Sequence, residues 1–332
     1  MKLSKTRSLF AALSAFTLPA GAAMATDVSM VLNWVPTADH APYFYAKKQG
    51  WYEDAGIDLS IEAGRGSGAA AQRVGAGSSN IGVADMATVL LARGQGANNV
   101  AVMTVYANSP QGFYWLKSSG IEEPKDFAGH SIGNPPADAS RLMWPLFAQT
   151  VGVDPASVKF VNVSPQAKLA SLKSGAIDIT SDFYNEHDLK VREFGEDLGF
   201  VAWRDIGINP YGNSVIVNAD FLEENRDLVA AFTKVTQKAF AACVENVDPC
   251  LDALLEEVSG LDRANQIDQW NRVKELMVDE TTTSFALGGF DAERMKQDYE
   301  TVNTYLQLET PFDIEAAYTN EFLDQTIKMP KQ

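Results

Sequence analysis

Short apolar runs alternate along the chain with segments of helical spacing, and this rhythm places most of the elements. Val28–Leu32 is a compact apolar run, and Ile57-Asp-Leu-Ser-Ile-Glu62 alternates apolar and polar residues with the period of a half-buried strand. Further apolar runs at 80–84, 100–107, 113–117, 131–133, 158–163, 176–180, 199–203 and 213–218 read as buried strands. Between them lie segments predicted to be helical: 69–77, 86–96, 139–152, 165–176 and 185–195. Ala41–Gln49 carries the clearest boundary signals, with Asp39 near its N-cap, Pro42 in its first turn and Gly50 just past its end. A long amphipathic helix follows the strand at 213–218, and the remainder to Gln332 reads as mostly helical. Strand–helix alternation in two blocks predicts an α/β protein with parallel sheets covered by helices on both faces.

The N-terminus alters the compartment. Lys2, Lys5 and Arg7 precede LFAALSAFTLPAGA, an apolar run too short to span a bilayer, and Ala23-Met24-Ala25 supplies a small-x-small cleavage pattern. Residues 1–25 therefore read as an export signal, cut before Thr26. The mature chain keeps 24 basic residues against 43 acidic ones, a balance of about −19. That charge argues against nucleic acid and anionic lipid as partners, while a local pocket field leaves a small anion possible. The remaining length suits two domains. Cys243 and Cys250 are the only cysteines, and export makes a disulfide between them a candidate, with two free buried thiols as the alternative. Two cysteines make no zinc site, and His40, His130 and His187 are far apart in sequence, so neither a metal nor a cofactor is expected.

Several motifs resemble one family in the same order. LNWVPTADHAPYFYAKKQGWYEDAGIDLSI is followed by a glycine-rich turn, SSNIGVADMATVLLARGQG, GIEEPKDFAGHSIGNPP, LASLKSGAIDIT and SVIVNADFLEENRDLVAAF. Together they resemble the periplasmic solute-binding proteins of ABC importers, in the branch that includes sulfonate, nitrate and thiamine-pyrimidine binders. The resemblance implies a type II periplasmic binding protein fold: two α/β lobes, each with a central mostly parallel sheet flanked by helices, joined by a two-segment hinge and closing on a small-molecule ligand. Lobe one would comprise 27–113 plus 214–332 and lobe two 114–213, with hinges near Trp115–Lys117 and Tyr211–Ser214. It also implies a monomer that hands its ligand to an ABC permease and the attached ATPase subunit.

Six of the twenty residues from Asn33 to Tyr52 are aromatic, gathered where neither strand nor helix period requires them. Asn33 and Trp34 leave the first strand at its carboxyl end, where ligands of open α/β sheets bind. Trp34 can offer a flat face to a ring, and Asn33 both a donor and an acceptor. Asp39, His40 and Tyr43 are candidates from the start of the first helix. Ser67 and the Gly68 amide are candidates from the turn Gly64-Arg-Gly-Ser-Gly68, since free amides at a helix start attract negative charge. That turn also fits a loose dinucleotide fingerprint, which export disfavours. Asp85 either lines the cleft or caps the next helix. Tyr106 is expected as a second stacking wall. In lobe two, Asn134 and Asp138 precede a helix, and Tyr184 and Glu186 follow a strand, where a carboxylate suits an exocyclic amine beside a ring nitrogen.

Aromatic and acidic loops favour a planar nitrogen heterocycle, like a thiamine pyrimidine precursor, over a sulfonate or nitrate. An enzyme on the same fold, like the pyrimidine synthases, is the rival from another class. This chain lacks their cysteine-rich segment and clustered histidines, and no nucleophile motif is visible. A sensor that hands its ligand to a receptor is a third reading.

Overall fold

The computed structural model describes residues 25–331, so the export signal expected over 1–25 lies outside the described residues except for Ala25. The strands are β1 (Thr26–Val31), β2 (Ile57–Glu62), β3 (Ile81–Asp85), β4 (Asn99–Thr104), β5 (Gln111–Leu116), β6 (Ser131–Asn134), β7 (Lys159–Asn162), β8 (Ile179–Phe183), β9 (Leu198–Ala202) and β10 (Asn213–Asn218). They form two sheets with the orders β2-β1-β3-β10-β4 and β7-β6-β8-β5-β9. Each sheet anchors one lobe of a two-lobed α/β fold.

Both sheets are mostly parallel, as expected of this fold, with one exception in each. In each, one strand runs against the other four: β10 is antiparallel to β3 and β4, and β5 is antiparallel to β8 and β9. The reason lies in the connections. The chain leaves β4 at its carboxyl end, crosses to the other lobe, and enters the second sheet from the side where that sheet's parallel strands also end. It can only run backwards there, and β10 repeats the manoeuvre on the return.

This routing moves one expected boundary. The first crossing occupies 105–110, before β5 begins at Gln111, so the boundary expected between 113 and 114 falls inside a strand. Trp115–Lys117, expected as a hinge, spans the end of that strand and the start of the turn beyond it, within the second lobe. The return crossing occupies 203–212 and includes Tyr211.

Local sequence explains the remaining departures. The helix expected over 139–152 breaks into Ala139–Leu142 and Trp144–Val151, because Pro145 has no amide to continue the ladder. The long helix after β10 is interrupted at Asn225, whose backbone leaves helical geometry, so that Arg226–Glu245 starts afresh. In β2, Ile57 and Leu59 are buried while Asp58, Ser60 and Glu62 are exposed, as the period-two pattern requires of an edge strand. Val28 and Met30 of β1 join Ile57 and Leu59 in the core, each such side chain contributing roughly 1.5–3 kcal/mol on burial. Cys243, in Arg226–Glu245, and Cys250, in Asp248–Glu257, form a disulfide with Cα atoms 5.9 Å apart, pinning the turn between these helices.

Candidate functional site

Between the lobes, at the carboxyl ends of the parallel strands, lies a cleft. Asn33, Trp34, Asp39 and Ser67 line it from the first lobe, and Lys168, Asp182, Phe183 and Glu186 are among the residues lining it from the second. The loops after β1, β2, β6, β7 and β8 thus converge, as expected for ligand sites of open α/β sheets.

One wall is a chain of buried hydrogen bonds. The amide of Thr37 donates to His40 Nδ1 at 3.1 Å, so that nitrogen carries no proton, and Nε2 donates to Asn33 Oδ1 at 2.9 Å. Burial lowers the His40 pKa despite the raising influence of Asp39, in keeping with a neutral ring. With its carbonyl oxygen held by His40, Asn33 is left to present its amide nitrogen, a donor of two hydrogens, to the cleft. Asp39 accepts from the Thr37 hydroxyl at 2.7 Å and from Asn213 Nδ2 at 3.2 Å. His40 is therefore a residue that orients Asn33 from behind rather than a wall of the cleft.

The glycine-rich turn joins the lobes. Gly66 donates its amide to the Asn33 carbonyl at 2.7 Å, has φ +123°, and faces the Ala137 carbonyl so closely that a Cβ would lie 2.3 Å from it. Gly68 donates its amide to Ala137 O at 3.1 Å, which corrects the expectation that this group holds the ligand: it holds the other lobe. Ser67 does line the cleft, and its hydroxyl oxygen accepts from the Asp85 amide at 3.1 Å, leaving the O–H free to donate. Gly66→Ala should therefore strain the closed arrangement by about 1–3 kcal/mol and weaken ligand binding at least several-fold, measured by calorimetry. Equal affinities would show that this approach of backbones does not limit closure.

The opposite wall is a buried ionic cluster that the sequence did not reveal. Asp182 receives Lys168 Nζ at 2.8 Å on one oxygen and Lys190 Nζ at 2.8 Å on the other, and Lys168 lies 3.6 Å from Asp138. Both lysine side chains are 3% exposed. Burial opposes ionisation of Asp182, but the two ammonium groups hold its carboxyl below the usual range. Asp138 goes the other way, since burial outweighs the pull of Lys168 and raises its pKa. Burial likewise raises Glu186, whose Oε1 accepts from Gln269 Nε2 at 3.0 Å. Lys168 Nζ stands 4.8 Å from the centre of the Trp34 ring, a cation–π contact across the cleft. The structure starts the helix at Lys168 rather than at 165, and a cation in that first position opposes the helix dipole and is held there by its carboxylate partners.

Other expected contacts sit elsewhere. Tyr43 is fully buried edge-on to Phe240, 5.4 Å between ring centres. Tyr106 is fully buried behind Phe183, 6.3 Å away, so Phe183 occupies the place expected of Tyr106 on the cleft wall. The hydroxyls of both tyrosines lack a hydrogen-bond partner. Asp85 caps the helix Met86–Gly94 through the Thr88 amide and accepts from Gln111 Nε2 at 3.0 Å; burial lifts its pKa to about 6. Asn134 is buried beneath the cleft and donates to Ser181 Oγ at 3.2 Å. Tyr184 stacks on His187, its hydroxyl accepts from Arg272 at 3.1 Å, and it lies outside the cleft lining. Among the described residues no group of three or more His, Cys, Asp or Glu side chains is arranged to hold a metal.

The NMT1/THI5-like family model matches residues 37–248, more than half of the chain. The formylaminopyrimidine-binding protein of Halalkalibacterium halodurans is 24% identical over 299 residues, covering 88% of this chain and 89% of that protein. A protein of Legionella pneumophila named as 4-amino-5-hydroxymethyl-2-methylpyrimidine phosphate synthase is 24% identical over 306 residues, covering 90% and 93%. Among solved structures, the alkanesulfonate-binding protein SsuA of Xanthomonas axonopodis, bound to MOPS, superposes with a TM-score of 0.69. The two are 13% identical, with 90% of this chain and 99% of that one covered, a likeness of fold alone.

Proposed function

Since the chain belongs to the NMT1/THI5-like family, we propose that it is the extracytoplasmic solute-binding component of an ABC importer, capturing a small planar nitrogen heterocycle. A thiamine pyrimidine precursor of the formylamino- or hydroxymethyl-aminopyrimidine kind suits the cleft. The lobes, 27–104 with 213–331 and 111–202, close about the crossings at 105–110 and 203–212. The ligand then favours the closed state through contacts that only this state offers. A permease and its ATPase subunit receive the ligand, in keeping with the expected export to the periplasm.

The observation that carries this reading is the set of donors and acceptors that lines the cleft. Four carboxyl groups line it, Asp39, Asp138, Asp182 and Glu186, and the two ammonium groups beside them, Lys168 and Lys190, are both engaged by Asp182. A sulfonate or nitrate would find both of these ammonium groups already committed and carboxyl oxygens as its neighbours. An aminopyrimidine meets complementary groups instead. The Trp34 ring offers a face, the Asn33 amide a donor, and the Glu186 carboxyl, whose pKa burial raises, an acceptor for the exocyclic amine. Asp39 is a second acceptor.

Calorimetry with an aminopyrimidine, riboflavin, an alkanesulfonate and nitrate tests the ligand class. Binding confined to a nitrogen heterocycle is the expected result, and binding of the sulfonate alone would reject the reading. The synthase-like relative makes catalysis the rival. In this chain His40 is committed to Thr37 and Asn33, and His130 lies beside Asp178 at 3.6 Å, so the histidines form no cluster. Ligand recovered unchanged, by mass spectrometry after prolonged incubation, would favour binding; a converted product would favour the enzyme.

A further inference from the structure

The helix Arg263–Leu276 belongs to the first lobe: its Trp270, Val273 and Leu276 sit in the same core as Val28 and Met30 of β1. Yet its outer face reaches across the mouth of the cleft to the segment 184–192 of the second lobe. Gln269 Nε2 donates to Glu186 Oε1 at 3.0 Å. One turn on, Arg272 grips Asp188 with two nitrogens, Nε to Oδ2 at 2.8 Å and Nη2 to Oδ1 at 2.9 Å. The same guanidinium donates to the Tyr184 hydroxyl at 3.1 Å. One turn before, Arg192 of the second lobe pairs with Asp268 and donates to Asn265 Oδ1 at 2.8 Å.

Two features separate this row of contacts from ordinary surface pairing. First, every one of these contacts joins the two lobes, so all of them must part when the cleft opens. Second, Gln269 is 2% exposed, and its carbonyl oxygen is buried without a partner. A buried amide with one unmet oxygen is costly to keep, and its donor half is spent on the carboxyl proposed above to read the heterocycle. Tyr184 is drawn into the same assembly, with Arg204 4.2 Å and Arg272 5.1 Å from its ring centre. That explains why an aromatic side chain expected to touch the ligand turns outward.

We propose that Gln269 is a positioning residue that sets the Glu186 carboxyl from the opposite lobe, and that Arg272 with Asp188 is the clasp that holds Gln269 in reach. The ligand-reading carboxyl is then oriented only in the closed state. Ligand recognition and closure become one event, because the carboxyl that contacts the ligand and the aspartate that latches the lobes are two residues apart on one segment. The bidentate Arg272–Asp188 pair supplies geometric register that a single lysine contact would not.

This inference rests on the proposed heterocycle reading for its affinity arm, and the test separates the two. Binding of 4-amino-5-hydroxymethyl-2-methylpyrimidine to the mature protein is measured by calorimetry and stopped flow, and closure by small-angle X-ray scattering. Gln269→Leu and Arg272→Asp should each lower affinity about tenfold through faster dissociation, with association nearly unchanged and the urea midpoint retained. Reversing the pair, Arg272→Asp with Asp188→Arg, should restore most of the affinity. Unchanged affinity in the single variants, or no recovery in the reversed pair, would overturn the clasp. If the native protein does not bind the pyrimidine, the ligand reading fails and scattering alone judges the clasp. Arg272→Asp more open than the native protein, and the reversed pair closed again, would support it; identical scattering would refute it.

Discussion

Asp182→Ala should destabilise the protein by roughly 3–5 kcal/mol at neutral pH, the range expected when one partner of a buried ionic cluster is removed. The loss follows from what remains. Lys168 and Lys190 each stand 2.8 Å from the Asp182 carboxylate and are almost inaccessible to water. Without it, Lys168 keeps the more distant Asp138 and the face of Trp34, and Lys190 keeps the face of Tyr114, 4.7 Å from its ring centre. Urea unfolding followed by circular dichroism measures the difference. The pH dependence supplies a second check. The Asp182 pKa is depressed in the folded protein, so its contribution is complete above the unfolded value of about 4 and is lost as pH falls through the lower folded value. The gap between native and variant midpoints should therefore narrow in acid. If the variant proves too unstable to purify, removing all three charges with Asp182→Leu, Lys168→Met and Lys190→Met should recover much of the loss. Equal midpoints for native protein and Asp182→Ala at neutral pH would show that the cluster contributes little.

Trp34→Ala should weaken binding of the pyrimidine at least tenfold, about 1.4 kcal/mol, and more if the ring is a central anchor, for which 2–4 kcal/mol is common. Fold stability should barely change, because Trp34 is half-buried at the cleft and its backbone carbonyl, which accepts from Gly64 at 2.9 Å, is unaffected by the substitution. The effect exceeds simple area loss for a structural reason. The ring is fixed between the β1 exit and Lys168, so the ligand need not order it on binding. Unchanged affinity would remove Trp34 from the binding surface.

Both expectations draw on the cleft, but they differ in how far the chain announced them. Trp34 and Asn33 were legible because a buried apolar run followed by polar and aromatic residues marks the carboxyl end of a strand. Glu186 and Asp138 were legible for the same reason, as polar residues between a strand and a helix. Lys168 and Lys190 were not, since a lysine in an amphipathic helix is ordinarily a solvated one, and only the return of β8 beneath the helices shows that both point at Asp182. Tyr43, Tyr106 and Tyr184 lay near the right loops, but rings satisfy core packing as readily as ligand stacking, and sequence carries no sign of which way they turn.

Local patterning by itself determined that this chain makes two blocks of alternating strands and helices, because burial of a face imposes a period that can be read one residue at a time. It also marked the strand exits that line the cleft. The direction of β5 and β10, the pairing of Asp182 with two distant lysines, the seating of Gly66 and Gly68 on Ala137, and the reach of Gln269 to Glu186 were decided only by the tertiary structure. Each joins groups remote in sequence, and their energies depend on burial and distance, which exist only once the lobes have folded and met.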